Sequence, residues 1–444
     1  MIALPSKTDF IFEKLNKNDF ECFAVGGCVR DLILGYNPKD FDFTTNAKPE
    51  EIKTCFSEYK TLDIGAKYGT ITVINEDESY EITTYRVDGD YNDSRHPDFV
   101  EFSGNICDDL SRRDFTVNSI AYNEKRGFVD PFGGIEDIRK RIIRATGEPE
   151  IRFREDSLRI LRALRFSAKL GFDIESKTKE AMFSSKDLLI SVHPQRVKKE
   201  LEEFLLCDID AEMLMTYKDI LAVVIPELIP MFETEQNTPH HIYNVYEHTA
   251  HAVVNTPADI SLRLAALLHD CGKPSKKTTD KYGVDHFRGH PERSVKLAEN
   301  ALLRMGFPFE IRQEVLTLIK FHDERYKMGS YDVKKVLSSM SYGTFLKLCT
   351  LSRADIKAQA EFKRAEKLSI IDFAETEAKR IIEAGECYSL KMMRITGDDL
   401  VGLGYSGMQI GKILNELLDL VMRGDILNEK YELICFAKSM FDKS

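Results

Sequence analysis

No stretch of this 444-residue chain is apolar for long: the longest run, Ile220 to Ile225, stops before Pro226, far short of the ~20 residues a spanning helix needs. Met1 to Asp9 lacks the apolar core of a secretory leader. The nine cysteines include no Cys-x-x-Cys pair and no regular spacing. That pattern argues against a zinc site or disulfide framework and for reduced thiols in a cytoplasmic protein. There is no excess of positive charge either. The formal net charge is −11, so the chain as a whole does not attract a polyanion. Internal repeats and low-complexity tracts are also missing, which sets aside solenoids and disordered arrays.

What is present is a chain too long for one core, with about two to four domains expected. Its apolar fraction of 43% is ordinary for a globular protein. Charge is distributed unevenly. Arg139 to Lys169 holds ten Lys+Arg against four Asp+Glu, a local balance of 10 − 4 = +6. A solvated helical face or a polyanion-binding face would both give that count.

Two textures follow each other. Cys22 to Val25 reads as a strand entering a Gly26-Gly27 turn, and Val29 to Leu34 as a helix. Phe41-Asp42-Phe43, Thr70 to Ile74 and Tyr80 to Tyr85 read as further strands, the last two joined by the polar turn Asn75 to Glu78. From about Ile151 the apolar residues recur at helical spacing (Leu158, Leu161, Leu164, Phe166) and helices continue to the end. Thr234 to Pro239 is the best linker candidate. The fold class is thus multidomain α+β: an α/β head and a long all-helical remainder.

The head carries the first chemical pattern. Two glycines between strand and helix let the backbone approach a triphosphate. Arg30, early in the helix, can add a charge-assisted contact to phosphate or sugar. Asp40 and Asp42, two apart on a strand, direct both carboxylates to one face. That placement suits two Mg²⁺ ions about 4 Å apart, one activating a 3′-hydroxyl and one holding the triphosphate. Ala24 to Asp42 resembles the signature of the polymerase-beta-type nucleotidyltransferases that include CCA-adding enzymes and bacterial poly(A) polymerases. Arg112-Arg113-Asp114-Phe115-Thr116-Val117-Asn118 is similar to their second motif. The resemblance implies Arg113 near the phosphates and Asn118 near the ribose. The plainer reading of this run is a helix start capped by Asp114 and Thr116.

Glu155-Asp156-x-x-Arg159-x-x-Arg162-x-x-Arg165-Phe166 follows. Side chains three apart share a slowly rotating helix face, so Asp156 and the arginines can reach one pocket. The plain alternative is an Asp156–Arg159 ion pair worth about 0.2–0.5 kcal/mol. Cytosine and adenine both present a ring acceptor beside an amino donor. Arg159 can donate to the first and Asp156 accept from the second, whereas guanine and uracil reverse the order and leave polar groups mismatched. The block resembles the nucleotide-selecting motif of class II CCA-adding enzymes, which implies Asp156, Arg159, Arg162 and Arg165 as nucleotide-binding residues. Arg86-Val87-Asp88-Gly89-Asp90-Tyr91, continuing through Arg95 and Pro97, reads as a mobile loop. By the same resemblance it argues against an enzyme that adds only C.

A second pattern lies further on: His248, His269-Asp270, His290, His322 and Asp355, ligand types for a divalent transition metal or Mg²⁺. Leu267 to Lys273 resembles the core of the HD phosphohydrolase domain. The resemblance implies His248, His269, Asp270 and Asp355 as ligands, with Asp323 competing for the last place, and a second metal or a phosphate at His290 and His322. Ile395 to Leu400, then Gly402, Gly404, Gly407 and Gly411 before a helix at Ile410 to Val421, is similar to the tail of CCA-adding enzymes and implies RNA contact.

Together these resemblances imply a class II CCA-adding enzyme. Its expected parts are a nucleotidyltransferase head (1–145), a helical neck with the selecting motif (146–233), an HD body (240–360) and a tRNA-binding tail (361–444). The expected activity is addition of C, C and A to the 3′ end of tRNA from CTP and ATP by two-metal transfer, with a phosphohydrolase side activity at the HD domain. No protein partner or membrane is expected. Arg152, Arg154, Lys198 and Lys199 are expected to hold the acceptor arm electrostatically. A poly(A) polymerase or A-only enzyme stays open, as does, in another class, an HD phosphohydrolase with an RNA-binding head.

Overall fold

The computed structural model describes residues 2–89, 99–324 and 328–441. Asp90, Tyr91, Arg95 and Pro97 of the expected loop lie outside the described residues. The chain forms two compact units. One is Met1–Cys207 with Asp219–Val224, and the other is Asp208–Lys218 with Ile225–Ser444.

The first unit is built on a seven-stranded mixed sheet. Its strands are β1 (Cys22–Val25), β2 (Asp42–Thr45), β3 (Lys60–Leu62), β4 (Thr70–Asn75), β5 (Glu78–Thr84), β8 (Ala121–Asn123) and β9 (Gly127–Val129), in the order β3-β4-β5-β2-β1-β8-β9. A separate hairpin pairs β6 (Arg86–Asp88) with β7 (Val100–Phe102). Within this sheet β2 and β5 are the one parallel pair among the described residues, and their register sets Asp42 opposite Glu81. β1 and β2 are nearly all buried (Phe23, Ala24, Val25, Phe43, Thr44, Thr45), so their apolar runs lack the alternation of a half-buried strand. Asp42 is the first residue of β2, and Asp40 lies in the bend before it. The two aspartates therefore do not alternate along one strand as their spacing suggests.

Helices α1 (Asp9–Lys17), α2 (Gly27–Ile33), α3 (Pro49–Cys55), α4 (Ile106–Ser111) and α5 (Gly134–Lys140) complete the head. The neck follows with α6 (Pro149–Glu155), α7 (Arg159–Leu170), α8 (Ser176–Ser185) and α9 (Pro194–Leu205). Proline opens α6 and α9, where its missing N–H costs nothing. Gly171, at φ 64, ends α7. The selecting block is not one helix. Asp156 caps the C-terminus of α6 in an extended conformation (φ −143, ψ 98), and α7 begins only at Arg159. Buried Ile160, Leu161, Leu164 and Phe166 anchor α7, with Phe166 edge-on to Phe115 at 5.8 Å. Burying each such side chain stabilises by about 1.5–3 kcal/mol.

The second unit is helical apart from one two-stranded ribbon among its described residues. Val245–Val254, Ile260–Leu268, Phe309–Phe321 and Tyr342–Ala358 bury Val253, Leu264, Leu268, Leu318, Ile319 and Leu348 together with no exposed surface. Thr234 to Pro239 is irregular but belongs to this unit rather than joining the two, because Thr238 and Pro239 line its main cavity. Further on, Thr396 caps the short helix Gly397–Val401 through a capping box with Asp399. That helix packs with Met408–Arg423 and Lys430–Phe441 on a separate small core around Leu400, Leu417 and Leu433.

Candidate functional site

Gly26 turns β1 into α2 at φ 81, ψ −134, a conformation L side chains rarely adopt. A Cβ there would also sit 2.9 Å from Arg113 Nη1. The glycine thus admits the Arg113 guanidinium to the turn. Arg113 is oriented from behind by Asp109, which has no exposed surface. Its Oδ2 accepts from Arg113 Nη2 (3.2 Å) and Thr44 Oγ1 (3.2 Å), and its Oδ1 from Arg112 Nη2 (2.6 Å). Burial alone would raise the Asp109 carboxyl, but the two arginines outweigh it and hold it below its usual range.

Asp40 and Asp42 face solvent at this turn. Asp42 is raised above its ordinary range, first by desolvation against the crowded wall, with Arg113 opposing and Asp40 adding. Glu81, its partner across the parallel pair, is raised likewise by desolvation and then by Asp42 and Asp40. Three exposed carboxylates repelling one another, with Arg113 as the counter-charge acting on Asp42, form a site short of positive charge. Oxygen-only donors of this kind suit a hard divalent cation. Sequence spacing missed Glu81 because only the β2–β5 pairing brings it here.

Arg30 corrects the expectation of a direct phosphate contact. It is 3% exposed, and its guanidinium donates to Asn118 Oδ1 (2.5 Å) and Asp31 Oδ1 (2.6 Å). Asn118 in turn donates through Nδ2 to Asp114 Oδ1 (3.0 Å), and Asp114 Oδ2 accepts from Arg162 Nε and Nη2 (2.9 and 2.6 Å). Arg30, Asn118, Asp114 and Arg162 are therefore one buried chain from the glycine turn to the neck. Thr116 does not cap a regular helix. It opens a single 3₁₀ turn, and its hydroxyl donates to Asp137.

In the neck, Asp156, Arg159 and Arg162 line one cavity of about 270 Å³ with Arg112, Arg113, Asp114 and Arg196. The Asp156 carboxylate and the Arg159 guanidinium each take other partners rather than pairing with one another. Arg159 Nη1 donates to Glu155 (2.9 Å) and Arg152 O (3.3 Å), and its Nη2 to Arg112 O (2.9 Å). Asp156 Oδ2 accepts from Arg196 Nη2 (2.7 Å), and its Oδ1 from the Leu158 amide (3.2 Å). Arg165 does not line this cavity. It pairs with Glu200 (2.6 Å) and Glu203 (2.7 Å) over the Phe166 ring. Each three-residue step turns the face by about 60°, so by Arg165 the row points at α9.

Asp114 is the most strongly held carboxylate of this network. Burial alone would raise it, yet Arg162 and the Asn118 amide bring it down to about 2 from 3.8. The ionised form therefore contributes about 2 kcal/mol above pH 4, lost as the pH falls from about 4 to about 2. Asp114→Asn is expected to lower the urea midpoint at pH 7, with a gap from the unaltered protein that narrows as the pH falls from about 4 to about 2. A gap constant across that range would contradict the ion pair's role.

In the second unit, Asp270 (1% exposed) lies at the centre of a histidine cluster. Its Oδ2 faces His269 Nε2 (3.2 Å) and His248 Nε2 (3.6 Å), and its Oδ1 faces His290 Nε2 (3.3 Å) and His322 Nε2 (3.7 Å). Asp355 Oδ1 adds to the first set, 2.7 Å from His248 and 3.5 Å from His269. Asp323 lines the cavity instead. Three of the rings donate from Nδ1 to a backbone carbonyl: His269 to Ala266 (2.7 Å), His290 to Phe287 (2.9 Å) and His322 to Ile319 (2.6 Å). His248 Nδ1 lies 3.4 Å from Ala358 O. These bonds fix the tautomers and aim the Nε2 lone pairs inward.

His290 and His322 then face each other at 3.1 Å, Nε2 to Nε2. Two lone pairs at that distance need a proton or cation. His269 Nε2 and both Asp270 oxygens are buried with close ionic neighbours but no well-directed hydrogen bond, which fits metal ligation. Burial lowers His269, but Asp270 and Asp355 outweigh it and raise it to about 10, a measure of how strongly the two carboxylates draw positive charge to this point. Lys273 supplies some of that charge, 2.7 Å from Asp270 Oδ2. The cluster opens into a cavity of about 540 Å³ lined also by His240, His241, Lys273, His286 and Arg288.

Comparison with known proteins matches these parts in the same order. Residues 22–144 match the poly A polymerase head domain, 171–232 the probable RNA and SrmB-binding site of polymerase A, and 239–370 the HD domain. The CCA-adding enzyme of Geobacillus thermodenitrificans is 46% identical over 46% of this chain and 50% of its own length. That of Lactobacillus delbrueckii subsp. bulgaricus is 42% identical over 50% of this chain and 54% of its own. The chain thus spans about half the length of the curated relatives it matches. Among solved structures, the Bacillus stearothermophilus CCA-adding enzyme in complex with CTP superposes with a TM-score of 0.71 at 25% identity, covering 99% of each chain. The Thermotoga maritima CCA-adding enzyme complexed with tRNA gives a TM-score of 0.62 at 19% identity over 99% and 96%, a likeness of fold. The chain thus carries matches to a poly A polymerase head domain, its RNA-binding continuation and an HD domain, in that order and on a fold similar to that of CCA-adding enzymes with an HD domain.

Proposed function

We propose that this protein adds C, C and A to the 3′ end of tRNA, taking the bases from CTP and ATP without a nucleic-acid template. The observation that carries the reading is the cavity in which Asp156 and Arg159 stand together beside Arg113, the arginine that also acts on Asp42. The hydrogen-bond inventory supports it. Arg159 has five N–H groups, and its hydrogen bonds within the protein use both on Nη1 and one on Nη2. Nε–H and one Nη2–H remain for a ring nitrogen. An ionised carboxylate has about four acceptor positions, and the protein fills two on Asp156. The rest can take an exocyclic amino group. Uracil and guanine would set carbonyl against carboxylate and N–H against guanidinium, a mismatch of about 1–3 kcal/mol per unpaired group.

Asp40 and Asp42, with Glu81 beside them, would hold two Mg²⁺ ions. Bound there, the cations would supply activation of the 3′-hydroxyl and stabilisation of the leaving pyrophosphate. The Gly26 turn gives the triphosphate room, Arg113 faces it with positive charge, and Asp109 keeps that guanidinium in place. The free thiol state of all nine cysteines fits the reducing cytoplasm.

The decisive experiment offers tRNA lacking its terminal CCA, and tRNA ending after one or two C, with each nucleotide separately and Mg²⁺. Two C then one A, with no further growth, is the expected result. Long A tails on unrelated RNA would move the assignment to a poly(A) polymerase. Failure to add C with ready addition of A after two C would make it an A-only enzyme.

A second reading concerns the HD unit alone. We infer that Asp270, with His248, His269 and Asp355 on one side and His290 and His322 on the other, binds divalent transition metal and hydrolyses phosphate esters. The inward lone pairs and the Asp270 oxygens, which have no well-directed hydrogen bond, support it.

A further inference from the structure

The carboxylate proposed to read the base is not held by its own helix. Asp156 sits where α6 has ended and α7 has not begun: its backbone N–H makes the last bond of α6, to Arg152 O, and its Oδ1 accepts from the Leu158 amide, which leaves Oδ2 to be held from elsewhere. The orienting contact comes from α9, forty residues on, where Arg196 Nη2 donates to Asp156 Oδ2 at 2.7 Å. Both side chains are largely buried and both line the 270 Å³ cavity.

The arginines of this cavity are otherwise anchored outside the reading pair. Arg112 and Arg113 rest on Asp109, Arg159 on Glu155, and Arg162 on Asp114 and Glu200. Arg196 alone among these takes its carboxylate from the reading pair itself. The same helix presents Glu200, one turn further, to Arg162 and Arg165. One face of α9 therefore grips both ends of the selecting block.

We propose that Arg196 is a positioning residue for base choice: by binding Asp156 Oδ2 it fixes which carboxylate edge meets the incoming base. The inference rests on the reading of Asp156 and Arg159 as the base-selecting pair. An Asp156 free to rotate would no longer present one fixed acceptor edge, and cytosine would lose part of its advantage over uracil. A charge-assisted bidentate or single guanidinium contact supplies the directional restraint that a lysine point charge supplies only in part.

The test uses the full-length protein and tRNA lacking its terminal CCA, comparing kcat/KM for CTP and UTP in the unaltered enzyme and in Arg196→Met, Arg196→Lys, Asp156→Asn and the Arg196→Met/Asp156→Asn double variant. Thermal unfolding of each confirms that it folds. Arg196→Met is expected to lower the CTP:UTP ratio by about tenfold, the scale of one lost charged hydrogen bond. Arg196→Lys should restore part of that loss. The double variant should discriminate no worse than Asp156→Asn alone, because Arg196 acts through Asp156. A ratio unchanged in Arg196→Met while Asp156→Asn loosens it would overturn the inference and leave the selecting pair standing. Additive losses would also overturn it, since Arg196 would then touch the base directly. No loosening in Asp156→Asn would remove both the selecting pair and the role of Arg196.

Discussion

Asp42→Asn should lower nucleotide addition by about 10³-fold or more, because a ligand that stabilises transition-state charge through a cation is worth several kcal/mol. Without added metal the same change should leave stability equal or slightly raised. Asp42 is exposed and is repelled by Asp40 and Glu81, so removing its charge relieves strain in the cation-free protein. Addition kinetics and urea unfolding, each with and without Mg²⁺, separate the two effects. Mg²⁺ should stabilise the unaltered protein by mass action and the variant far less. An Asp42→Asn protein that still adds nucleotides at a tenth of the normal rate would remove Asp42 from the metal site.

Asp270→Asn should weaken divalent transition-metal binding to the HD unit by about 100-fold or more, since even losing a group that merely orients a ligand costs about 10–100-fold. The larger expectation follows from position. Both Asp270 oxygens are engaged, one toward His248 and His269 and the other toward His290 and His322. The two overlapping ligand sets share this carboxylate. Asp270→Asn should therefore affect both sets, whereas Asp355→Asn should affect only the set containing His248 and His269. Calorimetric titration with Ni²⁺ or Co²⁺ checks both variants. Full stoichiometry and affinity in Asp270→Asn would rule the cluster out as a metal centre.

The parts of the head and HD unit that could be read in the sequence are those whose chemistry is local. Gly26-Gly27 and the Asp40, Asp42 pair lie within a short span, and their residue types restrict what they can do. His269-Asp270 is adjacent in the chain, and its more distant partners share its ligand type. What escaped is what tertiary packing supplies. Glu81 reaches the aspartates through parallel pairing of β2 with β5, and nothing near Glu81 signals that register. Arg196 and Glu200 act across the packing of α9 on the selecting block. The break between α6 and α7 at Asp156 carries neither proline nor glycine, so the three-residue spacing looked continuous. Arg30 reads as ligand-facing because arginine suits phosphate, and Arg165 because it continues the three-residue spacing of the block that resembles the selecting motif. Their buried carboxylate and amide partners turn both into braces.

The pairing of the cavity arginines with carboxylates also bears on how this pocket can change over generations. Arg159 with Glu155, Arg162 with Asp114 and Glu200, and Arg196 with Asp156 are partly buried pairs. Losing one member strands the other at a cost of about 3–5 kcal/mol for a buried pair, a large share of a domain's total stability of about 5–15 kcal/mol. A lineage drifting toward another base would have to pass through such half-pairs. Its open routes are double replacements, or single ones at the rim where water can take over. The protein template is in that sense a ratchet: its letters are cheap to keep and costly to respell one at a time.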